Sequence, residues 1–223
     1  MKSDSLVRIY RSLYGRFGPQ RWWPADSPFE VMVGAVLTQS TSWKNVEKAV
    51  ANLKKAGALS PEKLDAISTA RLARLIRPAG YFNVKAKRLK SLISFLRRQY
   101  GYDIGRMRRN RKDTLRELLL GVHGIGPETC DSILLYALRK PIFVIDAYTK
   151  RIFSRCGISD PRASYGELQE MFTAGVPRSE KVYNEYHALI VKLGKDICRK
   201  KPKCGLCPIE KMCYNTTKRR RDG

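Results

Sequence analysis

Acidic residues are scarce in this sequence: 20 Asp plus Glu stand against 44 Lys plus Arg, a formal net charge of +24 over 223 residues. An imbalance of that size implies a polyanionic partner, nucleic acid first and an anionic membrane second. Long hydrophobic runs are missing as well. The opening MKSDSLVRIY has no apolar core of signal-peptide length. No apolar run approaches the ~20 residues that a membrane helix needs, so a soluble, intracellular protein is expected. Alternation of apolar and polar residues at strand period is absent, which argues against a sheet. Gly and Pro punctuate the chain near Pro24, Pro61, Pro78, the stretch from Gly121 to Pro127, Pro141 and Pro161, and none of these breaks is long enough to be a linker between independent domains. Cysteine is nearly absent before the last tenth of the chain, where Cys130 and Cys156 stand alone. That distribution disfavours a disulfide framework and favours a metal site in a reducing compartment.

The residues that are present read as helices. Hydrophobic residues make up 43% of the chain, enough for a proper core. They recur at helical spacing, as in Leu6, Ile9, Tyr10 and Leu13, or Leu89, Leu92, Ile93 and Leu96, which predicts an all-α protein of about ten helices, arranged as two lobes sharing one groove. From Lys85 to Lys112 there are eleven basic residues and one acid, Asp103. A solvated helix face is the plain reading of such a stretch, and a phosphate-facing surface the favoured one. The run Lys218-Arg219-Arg220-Arg221 is expected to be a disordered electrostatic appendage.

Three local patterns carry chemistry. The first is Leu120-Gly121-Val122-His123-Gly124-Ile125-Gly126-Pro127-Glu128-Thr129, a helix end, a turn flanked by glycines and a new helix. Gly124 and Gly126 remove side chains that would block backbone approach, and Ile125 can pin the turn to the core. Amides at the start of the second helix then suit phosphate oxygens without reading sequence. Two glycines in a helix-to-helix turn are common, so the pattern gains weight only from the aspartate some twenty residues further on. His123 can donate to phosphate or be a plain exposed turn residue, and His187, on a late helix, is assigned to a packed core or groove position. The second pattern is Asp146, which ends the apolar approach Pro141-Ile142-Phe143-Val144-Ile145 and opens the helix Ala147–Phe153. It can serve as an ordinary N-cap. It can also be a carboxylate in a dry pocket that stabilises positive charge developing on a sugar, or that orients water. The third is Cys198-x5-Cys204-x2-Cys207-x5-Cys213, interleaved with Arg199, Lys200, Lys201 and Lys203. Four thiolates suit zinc or a four-iron cluster, and ligand count does not decide between them.

The order of hairpin, aspartate after an apolar run and four terminal cysteines resembles the endonuclease III family of helix-hairpin-helix DNA glycosylases, from about Phe29 to Cys213. The resemblance implies a two-lobed helix-hairpin-helix fold. One lobe would span 22–135 with its hairpin at 119–130, a second 1–21 and 136–197, then a cluster loop 198–213 and a basic tail 214–223. It implies a [4Fe-4S] cluster on Cys198, Cys204, Cys207 and Cys213, whose first interval is one residue shorter than the family's. Gly34-Ala35-Val36-Leu37-Thr38-Gln39 resembles the segment whose glutamine enters the gap left by a flipped base, so Gln39 inherits that role. Tyr81 inherits the wedge position. Gly124, Gly126, Thr129, Lys150, Arg199 and Lys203 complete the expected DNA contacts. The family's lyase members carry a lysine just after the hairpin, where this sequence has Glu128. A carboxylate cannot form an imine, which leaves hydrolysis through Asp146. Lys150, one turn after Asp146, is assigned to an ion pair with it or to a phosphate rather than to that missing nucleophile.

A second resemblance narrows the substrate. Arg21-Trp22-Trp23-Pro24, the segment from Gly34 through Thr41 to Trp43, Arg77-Pro78-Ala79-Gly80-Tyr81-Phe82-Asn83 with Lys85 to Leu89, and Glu167-Leu168-Gln169 with Phe172 resemble the bacterial 3-methyladenine glycosylase branch. There the double-tryptophan segment and an aromatic at the Trp43 position line the base pocket, so Trp22, Trp23, Pro24 and Trp43 are expected to do so here. Purines alkylated at N3 or N7 are cationic, leave readily and are attracted to aromatic faces. The expected protein is therefore a monomeric, cytoplasmic glycosylase without lyase action, excising alkylated bases from duplex DNA. An oxidised-pyrimidine glycosylase with lyase activity and a non-catalytic DNA-binding module are the rival readings.

Overall fold

The computed structural model describes residues 2–213; Met1 and the basic tail expected at 214–223 lie outside the described residues. The described chain is all-α and contains no strand. Its helices are α1 (Lys2–Phe17), α2 (Pro28–Leu37), α3 (Trp43–Lys55), α4 (Pro61–Ala66), α5 (Thr69–Leu75), α6 (Phe82–Tyr100), α7 (Ile104–Arg109), α8 (Lys112–Leu120), α9 (Pro127–Ser132), α10 (Ala147–Arg155), α11 (Tyr165–Gly175) and α12 (Glu180–Asp196). The count exceeds the expected ten because α4 and α7, at 6 residues each, are too short to show a period. None of these helices is long and apolar enough to cross a membrane. The chain divides into two compact units, one of Trp23–Lys140 and one that joins the residues through Trp22 to those from Pro141 onward.

The first unit is built around α2, whose residues Phe29 to Leu37 are all buried. A helix buried on every side, with Glu30 its single charged residue, has to be central. Pro28 occupies its first turn, and Ser27 Oγ accepts from Glu30 N at 3.2 Å, which satisfies one of the orphan amides there. α6 packs Leu89, Leu92, Ile93 and Leu96 inward, the stripe expected from their spacing. Gly101 ends it at φ 58°, with Tyr102 N donating back to Leu96 O at 3.3 Å. A π-helical turn, Ile133–Ala137, buried throughout, follows α9 and packs on α2.

In the second unit α1, α10, α11 and α12 enclose an aromatic core. Phe143 and Phe172 stack with centroids 4.0 Å apart, and Tyr183 and Tyr186 meet Phe143 edge-on. Buried Tyr186 is satisfied by donating to Leu6 O at 2.9 Å. Gly194 lets α12 approach α10, for a Cβ there would lie 2.3 Å from Cδ1 of Tyr148.

Candidate active site and nucleic-acid interface

The hairpin lies between α8 and α9. Val122 and Ile125 are both buried and the turn closes with Ile125 N on Val122 O at 3.0 Å, so two apolar residues anchor it where the sequence suggested one. Gly124 has φ +83°, a left-handed conformation that favours glycine, and a Cβ there would strike the stem of Arg88. Gly126 differs. Its φ of −87° is open to any residue, and nothing stands within 4 Å of the position a Cβ would take. It is the N-cap of α9, a helix that no side chain caps. Glu128 is exposed in the first turn of α9, and Thr129 just beyond it is buried.

Gln39 lies just beyond the C-terminus of α2 and is tied to the hairpin. Its Nε2 donates to Gly124 O at 3.1 Å and to Thr129 Oγ1 at 2.9 Å, while its Oε1 accepts from Arg88 Nη1. Nothing in the sequence marked Arg88 out from the other basic residues of α6. Tyr81 is the N-cap of α6 at φ 45° and is 72% exposed, an aromatic ring held out to solvent on a strained backbone. Ser40, next to Gln39, also has positive φ, 53°. Between these two segments Lys85, only 1% exposed, donates to Leu37 O at 2.9 Å and Ala79 O at 2.7 Å. It caps the carbonyl ends that lead into Gln39 and Tyr81. Burial first, and the charge of Arg88 second, lowers its pKa to about 8.

Three of the four expected pocket residues share a cavity. Trp23, Pro24 and Trp43 line a space of about 230 Å³ together with Glu30, Glu47 and Lys54. Trp23 meets Trp43 edge-on at 5.0 Å and its ring lies 3.2 Å from where a Cβ on Gly34 would be. Trp43 Nε1 donates to Glu47 Oε1 at 2.9 Å. Trp22 is half-buried and belongs to the other unit.

Asp146 caps α10. Its Oδ1 accepts from Thr149 N at 2.7 Å and from Thr149 Oγ1 at 2.8 Å, and the residue is 9% exposed. Its Oδ2 lies 3.6 Å from Nε2 of buried His187, a neighbour 41 residues away whose sequence position indicates only a general core or groove location. Burial lowers the His187 pKa, against a smaller raising effect of Asp146. The imidazole is therefore neutral at pH 7 and leaves the carboxylate charge uncancelled. Lys150 is exposed and does not form the expected ion pair, because the Asp146 carboxylate turns toward Thr149 and His187 rather than along the helix surface.

The cysteine loop is fastened to α10. Arg155 Nη1 reaches Cys198 Sγ at 3.6 Å and Arg199 O at 2.5 Å, its Nη2 reaches Lys200 O at 3.1 Å, and Arg151 donates to Cys198 O and Gly194 O, both at 3.0 Å. Cys198, Cys204, Cys207 and Cys213 line one cavity of about 130 Å³. Cys156 lines it too, and its thiol is pushed up by a hydrogen bond with Cys213 and by burial, so it does not stand alone as its position in the sequence suggested. Burial raises Cys207 to about 11. Among the described residues no three His, Cys, Asp or Glu side chains converge as ligands of a single ion would. Arg199 and Lys203 are exposed, with Arg199 Nε donating to Lys195 O at 2.7 Å.

Over 216 residues the chain is 49% identical to a candidate DNA repair glycosylase of Methanocaldococcus jannaschii, covering 96% of this chain and 98% of that one. The solved Helicobacter pylori 3-methyladenine DNA glycosylase bound to 1,N6-ethenoadenine is 30% identical, with a TM-score of 0.75 over 87% of this chain and 97% of that one. A trapped endonuclease III–DNA covalent intermediate shares the fold, with a TM-score of 0.85 at 21% identity over 99% and 100% of the two chains. A family model matches residues 33–178, and with it the chain belongs to the HhH-GPD superfamily of base excision DNA repair proteins.

Proposed function

We propose that the protein is a DNA glycosylase that hydrolyses the N-glycosidic bond of alkylated, 3-methyladenine-type bases in duplex DNA, without Schiff-base lyase action. The observation that carries this reading is the setting of Asp146: a nearly buried carboxylate, fixed through one oxygen by Thr149, with a neutral imidazole beside the other. Such a group is preorganised to stabilise a cationic sugar as the base departs, or to hold the attacking water. Glu128, where a lyase would carry its amine, has no nucleophilic nitrogen to form an imine.

The substrate class rests on aromatic and acidic groups together. Trp23 and Trp43 offer electron-rich faces to a cationic purine, and Glu47 adds a carboxylate to the same cavity, where Glu30 is already paired with Lys54 at 2.7 Å. A base must first leave the stack, at a cost of a few kcal/mol. Tyr81 would wedge the duplex and Gln39 fill the gap, with Gly124, Gly126, Lys150, Arg199 and Lys203 along the phosphates, while Thr129, also expected there, is buried and accepts from Gln39.

Cys198, Cys204, Cys207 and Cys213 would hold a [4Fe-4S] cluster. All four line one cavity of about 130 Å³, a space larger than a single ion needs. The four cysteine thiolates would anchor such a cluster, and binding it would fix the basic loop. The test is incubation with duplexes that carry single defined lesions. Scission of an alkylated-purine duplex only after alkali supports hydrolysis, direct scission means lyase chemistry, and no scission of any lesion duplex reduces the protein to a binder.

A further inference from the structure

A primary amide has two N–H donors, and both of those on Gln39 are engaged by the protein, one by Gly124 O and one by Thr129 Oγ1. Its oxygen is engaged by Arg88. In this arrangement Gln39 has no donor left for a base. Arg88 is itself built into the hairpin. A Cβ on Gly124 would fall 2.2 Å from its Cγ and 2.7 Å from its Cδ, so the glycine admits the arginine stem as well as turning the chain. The Nε of Arg88 is enclosed without a hydrogen-bond acceptor, so this N–H of a half-buried arginine has given up water in order to sit there. A basic residue that served only to attract phosphate would have no reason to be desolvated in this way.

We propose that Arg88 is a positioning residue that latches Gln39 onto the hairpin in the DNA-free chain, and that release of this latch is a separate step between encounter and filling of the gap left by an extruded base. The inference rests on the gap-filling role proposed above for Gln39. To donate to an unpaired base, Gln39 must surrender Gly124 O or Thr129 Oγ1 and draw its oxygen away from the guanidinium. A hydrogen bond to a charged donor outweighs one between neutral groups, so Arg88 is the main restraint. While the latch is closed Gln39 cannot probe stacked, intact DNA. It opens only where a gap repays the lost bonds, which makes the latch a filter against undamaged sequence.

The full-length protein can be tested on a duplex with one tetrahydrofuran abasic-site analogue and on the same duplex intact, the readout being the ratio of the two dissociation constants. Arg88→Met keeps the stem against Gly124 and removes the guanidinium. The lost charge weakens binding to both duplexes and cancels in the ratio, while preference for the gap should rise about tenfold, the weight of one charge-assisted hydrogen bond. Thr129→Val, on the other side of the amide, should shift the ratio in the same direction by less. Neither gain should survive in combination with Gln39→Ala. A gap preference that is unchanged or lower in folded Arg88→Met, with Gln39→Ala alone reducing it, overturns the latch and leaves the gap-filling role standing. If Gln39→Ala alone has no effect, the gap-filling role fails and the latch with it. Should Arg88→Met not fold, Thr129→Val decides by the same ratio.

Discussion

Replacing Asp146 by Asn and by Ala separates its two roles. Both Thr149 bonds end on Oδ1, at 2.7 and 2.8 Å, and an asparagine oxygen can accept both. Asp146→Asn therefore keeps the cap and loses only the charge assistance, a stability cost of about 1 kcal/mol. Asp146→Ala removes the cap, typically worth about 1–2 kcal/mol. It also leaves the hydroxyl of fully buried Thr149 without its acceptor, which adds roughly 1–3 kcal/mol. The two variants should thus differ clearly in thermal midpoint. In excision they should not differ much, because both lack the negative charge proposed to face the sugar. Single-turnover base release from a duplex with one alkylated purine, at saturating protein, should fall at least ~100-fold in each. Lesion binding by Asp146→Asn should survive. Full excision by a well-folded Asp146→Asn would falsify the electrostatic role and leave the residue as a helix cap alone.

Four further outcomes are expected. The purified protein should be brown and contain iron and sulfide, and Cys204→Ser should lose both together with DNA affinity while the helices of 23–140 stay formed; a colourless protein with stoichiometric zinc contradicts the cluster. DNA affinity should fall steeply with salt, and Arg199→Glu should weaken binding to all sequences alike and flatten the salt slope by about 1–2 phosphates' worth, which a salt titration of wild type and variant checks directly. Glu128→Lys should make the protein trappable on abasic DNA by borohydride; efficient trapping by the wild type would instead implicate an existing amine such as Lys150. Burial holds His187 neutral in the folded state, so the unfolded chain takes up a proton that the folded chain refuses. Its contribution is complete above the ordinary value of 6.5 and is lost as pH falls below it, so the pH dependence of the melting midpoint below 6.5 should be shallower in His187→Gln than in wild type, and equal slopes would refute the assignment.

The helical architecture was legible because it is periodic. The stripe Leu89, Leu92, Ile93 and Leu96 needs no partner to be read, and it lies buried on α6. The Asp146 cap was equally local, since its acceptor and donors lie within three residues. What the sequence concealed depends on residues far apart along the chain. Cys156 looked isolated because the thiols it joins lie more than forty residues away, and His187 is brought to Asp146 only by the packing of α12 on α10. Arg88 is one basic residue among many until the hairpin closes over its stem. Adjacent Trp22 and Trp23 looked equivalent, yet the division of the chain falls between them.

The grip of α10 on the cysteine loop bears on how truncations will read. Arg151 and Arg155 place five hydrogen bonds on this region, on Gly194 O, Cys198 O, Cys198 Sγ, Arg199 O and Lys200 O. A chain cut after Ile197 deletes four of those acceptors. Two guanidinium groups on the helix that Asp146 caps would then have to be rehydrated, and that helix has only 9 residues in which to absorb the change. An inactive truncation would therefore report a displaced carboxylate, and would say nothing about whether the proposed cluster takes part in the proposed bond cleavage.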